Sequence, residues 1–316
     1  MLKASPRFLA FAGALVFAIA MPALGLSASS AATGLILYSQ EVGGKVQLFT
    51  VRPDGTSRTQ ITRGAAQASR GEWSPNGRLI AFERIAPDES RAAVATMNAD
   101  GTGVRELTPT GYQGDPSFTP DGRWIVFTRN PKPSDNGIWI MKVDGSNPRR
   151  LSRNPFMQDG NCGCDEDATV SPDGKRVTFV RYTAGERQHA LFSVGIDGRG
   201  LKQLTPYELA VDAEHDWSPD GKRIVLTMHA PPDGTRSANV VTIRSNGSDL
   251  RWVTRFKGGT LHAWAGSYSP DGKWLAVRIQ GGGKDGVYVV RPDGTGLRRI
   301  ATLGLSPSTI DWSPGR

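Results

Sequence analysis

The sequence is poor in the residues that small stapled scaffolds and metal modules depend on: among 316 residues there are two cysteines, Cys162 and Cys164. Two thiols exclude both a disulfide framework and a four-cysteine zinc module. Long apolar runs are equally scarce. The longest, Phe8 to Ala20, spans 13 residues, whereas crossing a membrane takes about 20. No run of five basic residues occurs, so a net charge of +8 does not form the dense basic footprint of a nucleic-acid protein. A GxSxG elbow, a Walker loop and an HExxH helix are all missing, which excludes the commonest hydrolase, nucleotide and metalloprotease chemistries by motif. What is plentiful is turn material: 38 glycines and 21 prolines, far too many for a helical bundle.

Residues 1–32 read as a secretory leader. Lys3 and Arg7 form a positive start, the apolar run follows, and Ala23-Leu24-Gly25 and Ser30-Ala31-Ala32 both fit small-x-small cleavage. Pro22 interrupts the run and argues against an anchor. No cysteine lies near the cleavage region, so no lipoprotein anchor is expected. The mature chain, 33–316, is expected to be secreted or periplasmic and not membrane-spanning. Removing Lys3 and Arg7 leaves +8 − 2 = +6.

One segment recurs along the rest of the chain. It reads SPNGRLIAFER at Ser74, TPDGRWIVFTR at Thr119, SPDGKRVTFVR at Ser171, SPDGKRIVLTM at Ser218 and SPDGKWLAVRI at Ser269, at intervals of 45, 52, 47 and 51 residues. A second Asp-Gly or Asn-Gly turn interleaves with it, as in VRPDGT at Val51 and RSNGSD at Arg244. After each Ser-Pro turn comes a strand whose large residues alternate, such as Ile80 and Phe82 or Val177 and Phe179, which predicts burial with period 2. In the turn, Pro presets φ, and Gly122, Gly174, Gly221 and Gly272 are expected at positive φ. Four strands per unit of about 47 residues are the signature of a propeller blade. The chain stops at Trp312-Ser313-Pro314-Gly315-Arg316, the start of a further turn, and Leu35-Ile36-Leu37-Tyr38 is the strand that would follow it. The expectation is an all-β, six-bladed β-propeller of four-stranded antiparallel blades, closed by the C-terminal strand joining the N-terminal blade. Trp73, Trp217 and Trp312 recur at one repeat position and are expected to pack between blades.

These residues resemble the WD40-like repeat called PD40, found in the propellers of the TolB family. The resemblance runs over residues 35–316 and implies the fold. It concerns the propeller alone, because the N-terminal α/β domain of TolB has no counterpart in a layout where a leader precedes the first strand. Related propellers of serine oligopeptidases accompany a hydrolase domain that is likewise not seen here. No functional residue carries over, since the matching positions are turns and core strands.

Binding residues are expected on the variable loops opposite the uniform turns. There Asp159, Asp165, Glu166, Asp167, Glu208, Asp212, Glu214 and Asp216 form an acidic sector in adjacent blades. Asp165, Asp167, Asp212, Glu214, His215 and His262 are the candidate partner- or ligand-binding residues. Asp165, Asp167, Glu214 and Asp216 are the candidate calcium ligands, since Ca²⁺ takes six to eight oxygens. No cofactor is otherwise required. Cys162-Gly163-Cys164 has too few partners for zinc, and pairing across one residue would be strained. The reading is a non-catalytic envelope interaction module whose partner is a protein or a cell-wall polymer, not nucleic acid. The alternative is a metal-assisted lyase or a hydrolase of sugar or lactone substrates, using His215, His262 and nearby carboxylates.

Overall fold

In a computed structural model of the protein, residues 34–108, 111–130, 136–156, 164–183, 188–229, 237–302 and 309–314 are described, all within one compact unit, Ala32–Arg316. The expected leader lies outside them. Six four-stranded antiparallel sheets follow one another as blades. The innermost strands of blades 2 to 6 are Gln67–Trp73, Gln113–Phe118, Asp165–Val170, Val211–Trp217 and His262–Tyr268. Outer strands are only two residues long in blades 1 to 5, for example Thr59–Gln60 and Arg251–Trp252, which leaves little unpaired edge.

The Ser-Pro turn explains its own sequence. In blade 4 the Gly174 N–H reaches Ser171 O at 2.8 Å and the Ser171 N–H reaches Arg176 O at 2.9 Å. The Ser171 hydroxyl donates to Asp173 at 2.7 Å and accepts the Arg176 N–H at 2.9 Å. Gly174 sits at φ 69°, and Gly122, Gly221 and Gly272 lie at 66–67°, the left-handed region where a side chain is strained. Each residue type in the motif therefore has one task.

The ring closes as the repeat implied. Ile310–Trp312 pairs with Ile36–Val42 through Ile36↔Trp312 and Tyr38↔Ile310. The Ser313 N–H reaches Leu35 O, and Ser313 Oγ accepts the Leu35 N–H, both at 2.8 Å. These are the two bonds that Ser171 makes to Arg176, here formed between opposite ends of the chain.

The hydrophobic core corrects the simple picture of alternating burial. In blade 2 not only Ile80 and Phe82 are buried but also Ala81 between them. Ile80 and Phe82 join Leu37 and Leu48 of blade 1, whereas Ala81 joins Phe118 and Ile125 of blade 3. The same division gives six apolar clusters, one for each pair of neighbouring blades. The period of 2 thus separates two interfaces, not core from solvent. Trp73, Trp217 and Trp312 are buried in three of them, as their recurrence suggested.

Candidate functional site: the acid-lined axial channel

Every inner strand from blade 2 to blade 6 is broken by a β-bulge just before its Ser-Pro turn. A bulge re-aims the side chains beside it. The residue four places before the turn takes a left-handed conformation at Arg70, Asp115, Asp167, Glu214 and Thr309, with φ of 50°, 49°, 55°, 77° and 27°. Side chains at this position and two residues later line a channel along the propeller axis. Six are carboxylates: Glu72, Asp115, Asp167, Glu214, Asp216 and Asp311. Arg70 is the one arginine among the lining residues.

The second set of positions stitches the ring together. Glu72 accepts the Phe118 N–H at 2.7 Å, Ser117 that of Val170 at 3.4 Å and Asp216 that of Tyr268 at 2.9 Å. Ser267 accepts the Trp312 N–H at 2.6 Å, and Asp311 that of Trp73 at 2.7 Å. Each bond runs from one blade to the next. Blade 4 departs from the pattern. Its Thr169 hydroxyl donates to His215 O at 3.2 Å, while Asp216 takes the N–H of its own neighbour Trp217 at 2.7 Å.

Electrostatics divide the carboxylates. Arg70 ion-pairs with Asp115 and, at 3.4 Å, with Glu83. Burial alone would raise Asp167, but the contact with His215, the Arg70 guanidinium and the Glu214 N–H hold it below the usual carboxylate range. Its Oδ2 lies 3.2 Å from His215 Nδ1, and His215 Nε2 and Trp217 Nε1 both meet Thr178 Oγ1 at 2.9 Å. Elsewhere burial wins. Glu214 is pushed up to about 7, partly offset by Arg278. Asp216 rises to about 7 against its N–H bonds, with Asp311 adding repulsion. Asp311 rises to about 7 by burial, and Glu72 rises by burial and the nearby Asp311. Removing a carboxylate from water disfavours its charged form.

Of the residues singled out from sequence, Asp167, Glu214, His215 and Asp216 meet in this channel. Asp165 does not join them. Its fully buried carboxylate accepts Nε and Nη2 of Arg181 at 2.7 Å each and the Ser152 hydroxyl at 2.6 Å. The side chain of a strand residue two before Asp167 is turned into the blade, because the bulge reverses the alternation between them. Asp212 pairs with His229 Nε2 at 2.5 Å. His262 Nδ1 accepts the Ala238 N–H and Nε2 faces Gly259 O, both at 3.1 Å, which engages both ring nitrogens. His215 and His262 therefore do not converge. Among the described residues no three His, Cys, Asp or Glu side chains stand in metal-holding geometry. Asp159 and Cys162 lie outside the described residues; Cys164 is buried and disulfide-bonded.

Sequence reasoning missed Arg70, Glu72, Asp115 and Asp311. The signal was their fixed spacing, four or two residues before each Ser-Pro or Thr-Pro. A search by loop length and local charge density passes over it.

The family model described as the TolB β-propeller domain, PD40, matches residues 29–162. An uncharacterized protein of Agrobacterium fabrum is 25% identical over 199 residues, 60% of this chain and 64% of its own length. The Tol-Pal system protein TolB of Anaeromyxobacter dehalogenans is 26% identical, covering 56% of this chain and 37% of that protein. The matched stretches thus span less than two thirds of these relatives. Among solved structures, TolB from Acinetobacter baumannii superposes with a TM-score of 0.71 at 20% identity, covering 90% of this chain and 67% of that one. An oligogalacturonate lyase in complex with manganese superposes with a TM-score of 0.54 at 14% identity, covering 82% and 74%. At such identities the likeness is one of fold.

Proposed function

We propose that this TolB-like β-propeller of PD40 repeats is an extracytoplasmic, non-catalytic interaction module whose partner is an envelope protein. The observation that carries the reading is the use made of the axial channel. Its polar side chains are spent on blade-to-blade hydrogen bonds, and the cavity left between them is ≈ 60 Å³, room for about two waters. At the axis, then, the described residues leave no pocket of the about 300 Å³ or more that a substrate needs. Recognition then falls to the connections opposite the turns, which vary in length from blade to blade while the turns do not. One TolB relative is named a Tol-Pal system protein, and an envelope protein is the partner of matching kind.

The test is site-specific photocrosslinking in envelope preparations from cells expressing the full chain. A probe at Glu89, an exposed residue in the loop after the Leu79–Ile85 strand, is expected to give a discrete protein adduct. A probe at Asp144, in the turn of the opposite face, is expected to give none. Co-sedimentation with purified cell wall and no adduct at Glu89 transfers the reading to a wall polymer.

Calcium belongs to the same proposal: Asp167, Glu214 and Asp216 line one channel but do not stand in metal-holding geometry, so binding would have to draw them together and displace the protons that burial favours. Millimolar Ca²⁺ against chelator is expected to raise the melting midpoint, by linkage about 2.7 kcal/mol at a hundredfold excess over Kd. An Asp167→Asn/Glu214→Gln variant should lose the shift. Equal midpoints for the wild type in both buffers remove calcium from the account.

A further inference from the structure

Two clefts open on the turn face, at equivalent places between neighbouring blades: ≈ 610 Å³ between blades 4 and 5, and ≈ 750 Å³ between blades 5 and 6. Because the blades repeat, the two can be compared position by position. The first residue of the second strand is Arg176 in blade 4 and Arg223 in blade 5. The last residue of the third strand is Gly195 in blade 4 and Arg244 in blade 5. The first residue of the outer strand is Lys202 against Arg251, and two residues before it Gly200 is replaced by Asp249. In blade 6 the corresponding positions are Trp274, Arg291 and Arg298, and both guanidinium groups lie over the Trp274 indole, at 4.9 and 5.9 Å from its centroid. Blade 5 has no such aromatic, and its three arginines turn to one carboxylate instead.

Asp249 Oδ2 is 2.9 Å from Arg223 Nη1, 2.9 Å from Arg251 Nη2 and 3.3 Å from Arg244 Nε. The bonds from Arg223 and Arg251 hold its carboxyl down to about 2, so it is ionised at neutral pH. Three positive charges against one negative leave an excess of two. Nearby Lys222 and Asp220 balance each other at 3.4 Å, and Asp271, which also lines the groove, is balanced by Lys273 at 3.5 Å. Arg223 is anchored by Thr242 and by the Asp249 carbonyl. Arg244 and Arg251 keep side chains 60% and 61% exposed, with guanidinium donors left over for a further acceptor. The groove is walled by the rigid rings of Pro219, Pro270 and Pro292, and Tyr268, 6% exposed, also lines it. The Tyr268 hydroxyl is buried and has no hydrogen-bond partner among the described residues.

We infer that the groove between blades 5 and 6 binds a dianionic phosphate group, as free phosphate or as a phosphomonoester on a small body, through Arg244, Arg251 and Arg223. A phosphomonoester carries ≈ −1.5 to −2 charge at pH 7 with three strong acceptor oxygens, which matches the charge excess, and guanidinium forks suit its geometry. The proline walls supply apolar contacts for the body of an ester. The cleft between blades 4 and 5, with Gly195 and Lys202 at the matching positions, lacks the cluster and is the internal control.

The experiment is calorimetric titration of the full chain with inorganic phosphate and, separately, glycerol 3-phosphate at constant ionic strength. Saturable binding is expected for at least one probe. Both exposed arginines can be changed without disturbing the core, so an Arg244→Gln/Arg251→Gln variant should fold as the wild type and bind at least tenfold more weakly. Removing the competing charge with Asp249→Asn is expected to tighten binding several-fold. Tighter binding of the ester identifies a phosphorylated molecule as the ligand, and equal binding identifies free phosphate. Failure of both probes to saturate overturns the inference. So does wild-type affinity in the double arginine variant, or weaker binding in Asp249→Asn.

Discussion

Truncation before residue 309 is expected to abolish cooperative unfolding, and Trp312→Ala alone should lower stability by about 3–5 kcal/mol, the range for emptying a large buried site. Trp312 and Ile310 are buried with Ile36, Tyr38 and Val51 of blade 1 and with Val287 and Val289 of blade 6. Losing the strand therefore strips the inner edge of blade 1 and one wall of two interfaces. It also removes the Asp311 carboxylate from the Trp73 N–H and the Trp312 N–H from Ser267, leaving polar groups without partners in places water reaches poorly. In a repeat array each unit is stabilised by its neighbours, so the ring opens as a whole. The measurement is urea unfolding followed by tryptophan fluorescence and circular dichroism. Coincident, unshifted transitions in the truncated chain would show that the two ends do not hold the ring.

The protein should be more stable at pH 5 than at pH 8. Glu214, Asp216 and Asp311 are each raised to about 7, and Glu72 is raised as well. Between about pH 4 and 7 the unfolded chain releases these protons while the folded chain keeps them, so stability falls as pH rises through that window. One pKa unit corresponds to about 1.4 kcal/mol. The acids interact and their shifts do not add, so the loss from pH 5 to pH 8 is on the order of 2–4 kcal/mol. Asp167, held low, acts in the other sense, but only as pH falls below about 4. Asp311→Asn keeps an oxygen to accept the Trp73 N–H and removes one buried acid. It is expected to flatten the profile and to raise stability at pH 8. A wild type more stable at pH 8 than at pH 5 would fail this account of the channel.

The architecture was legible in the chain because a propeller writes its fold locally. Ser171, Asp173 and Gly174 make their hydrogen bonds within six residues of one another, so each turn announces itself without help from distant sequence. Closure was legible for the same reason: the turn motif at Ser313 and the strand at Leu35 are two halves of one local pattern. The site was legible only in part. Asp167, Glu214, His215 and Asp216 were found because they crowd together in sequence. Arg70, Glu72, Asp115 and Asp311 were not, because no acidic stretch of sequence surrounds any of them.

What the sequence by itself determined is the blade, the blade count and the clasp, all set by turn chemistry and strand period. What only the tertiary structure decided is which side chains face one another across blades. Bulges reverse the alternation between Asp165 and Asp167, sending one to Arg181 inside a blade and the other to the axis. The channel pKa values follow from that burial, and so does the convergence of Arg223, Arg244 and Arg251 on Asp249. Period and propensity act over a few residues, whereas the ring brings together groups about fifty residues apart, and only the closed ring fixes their distances.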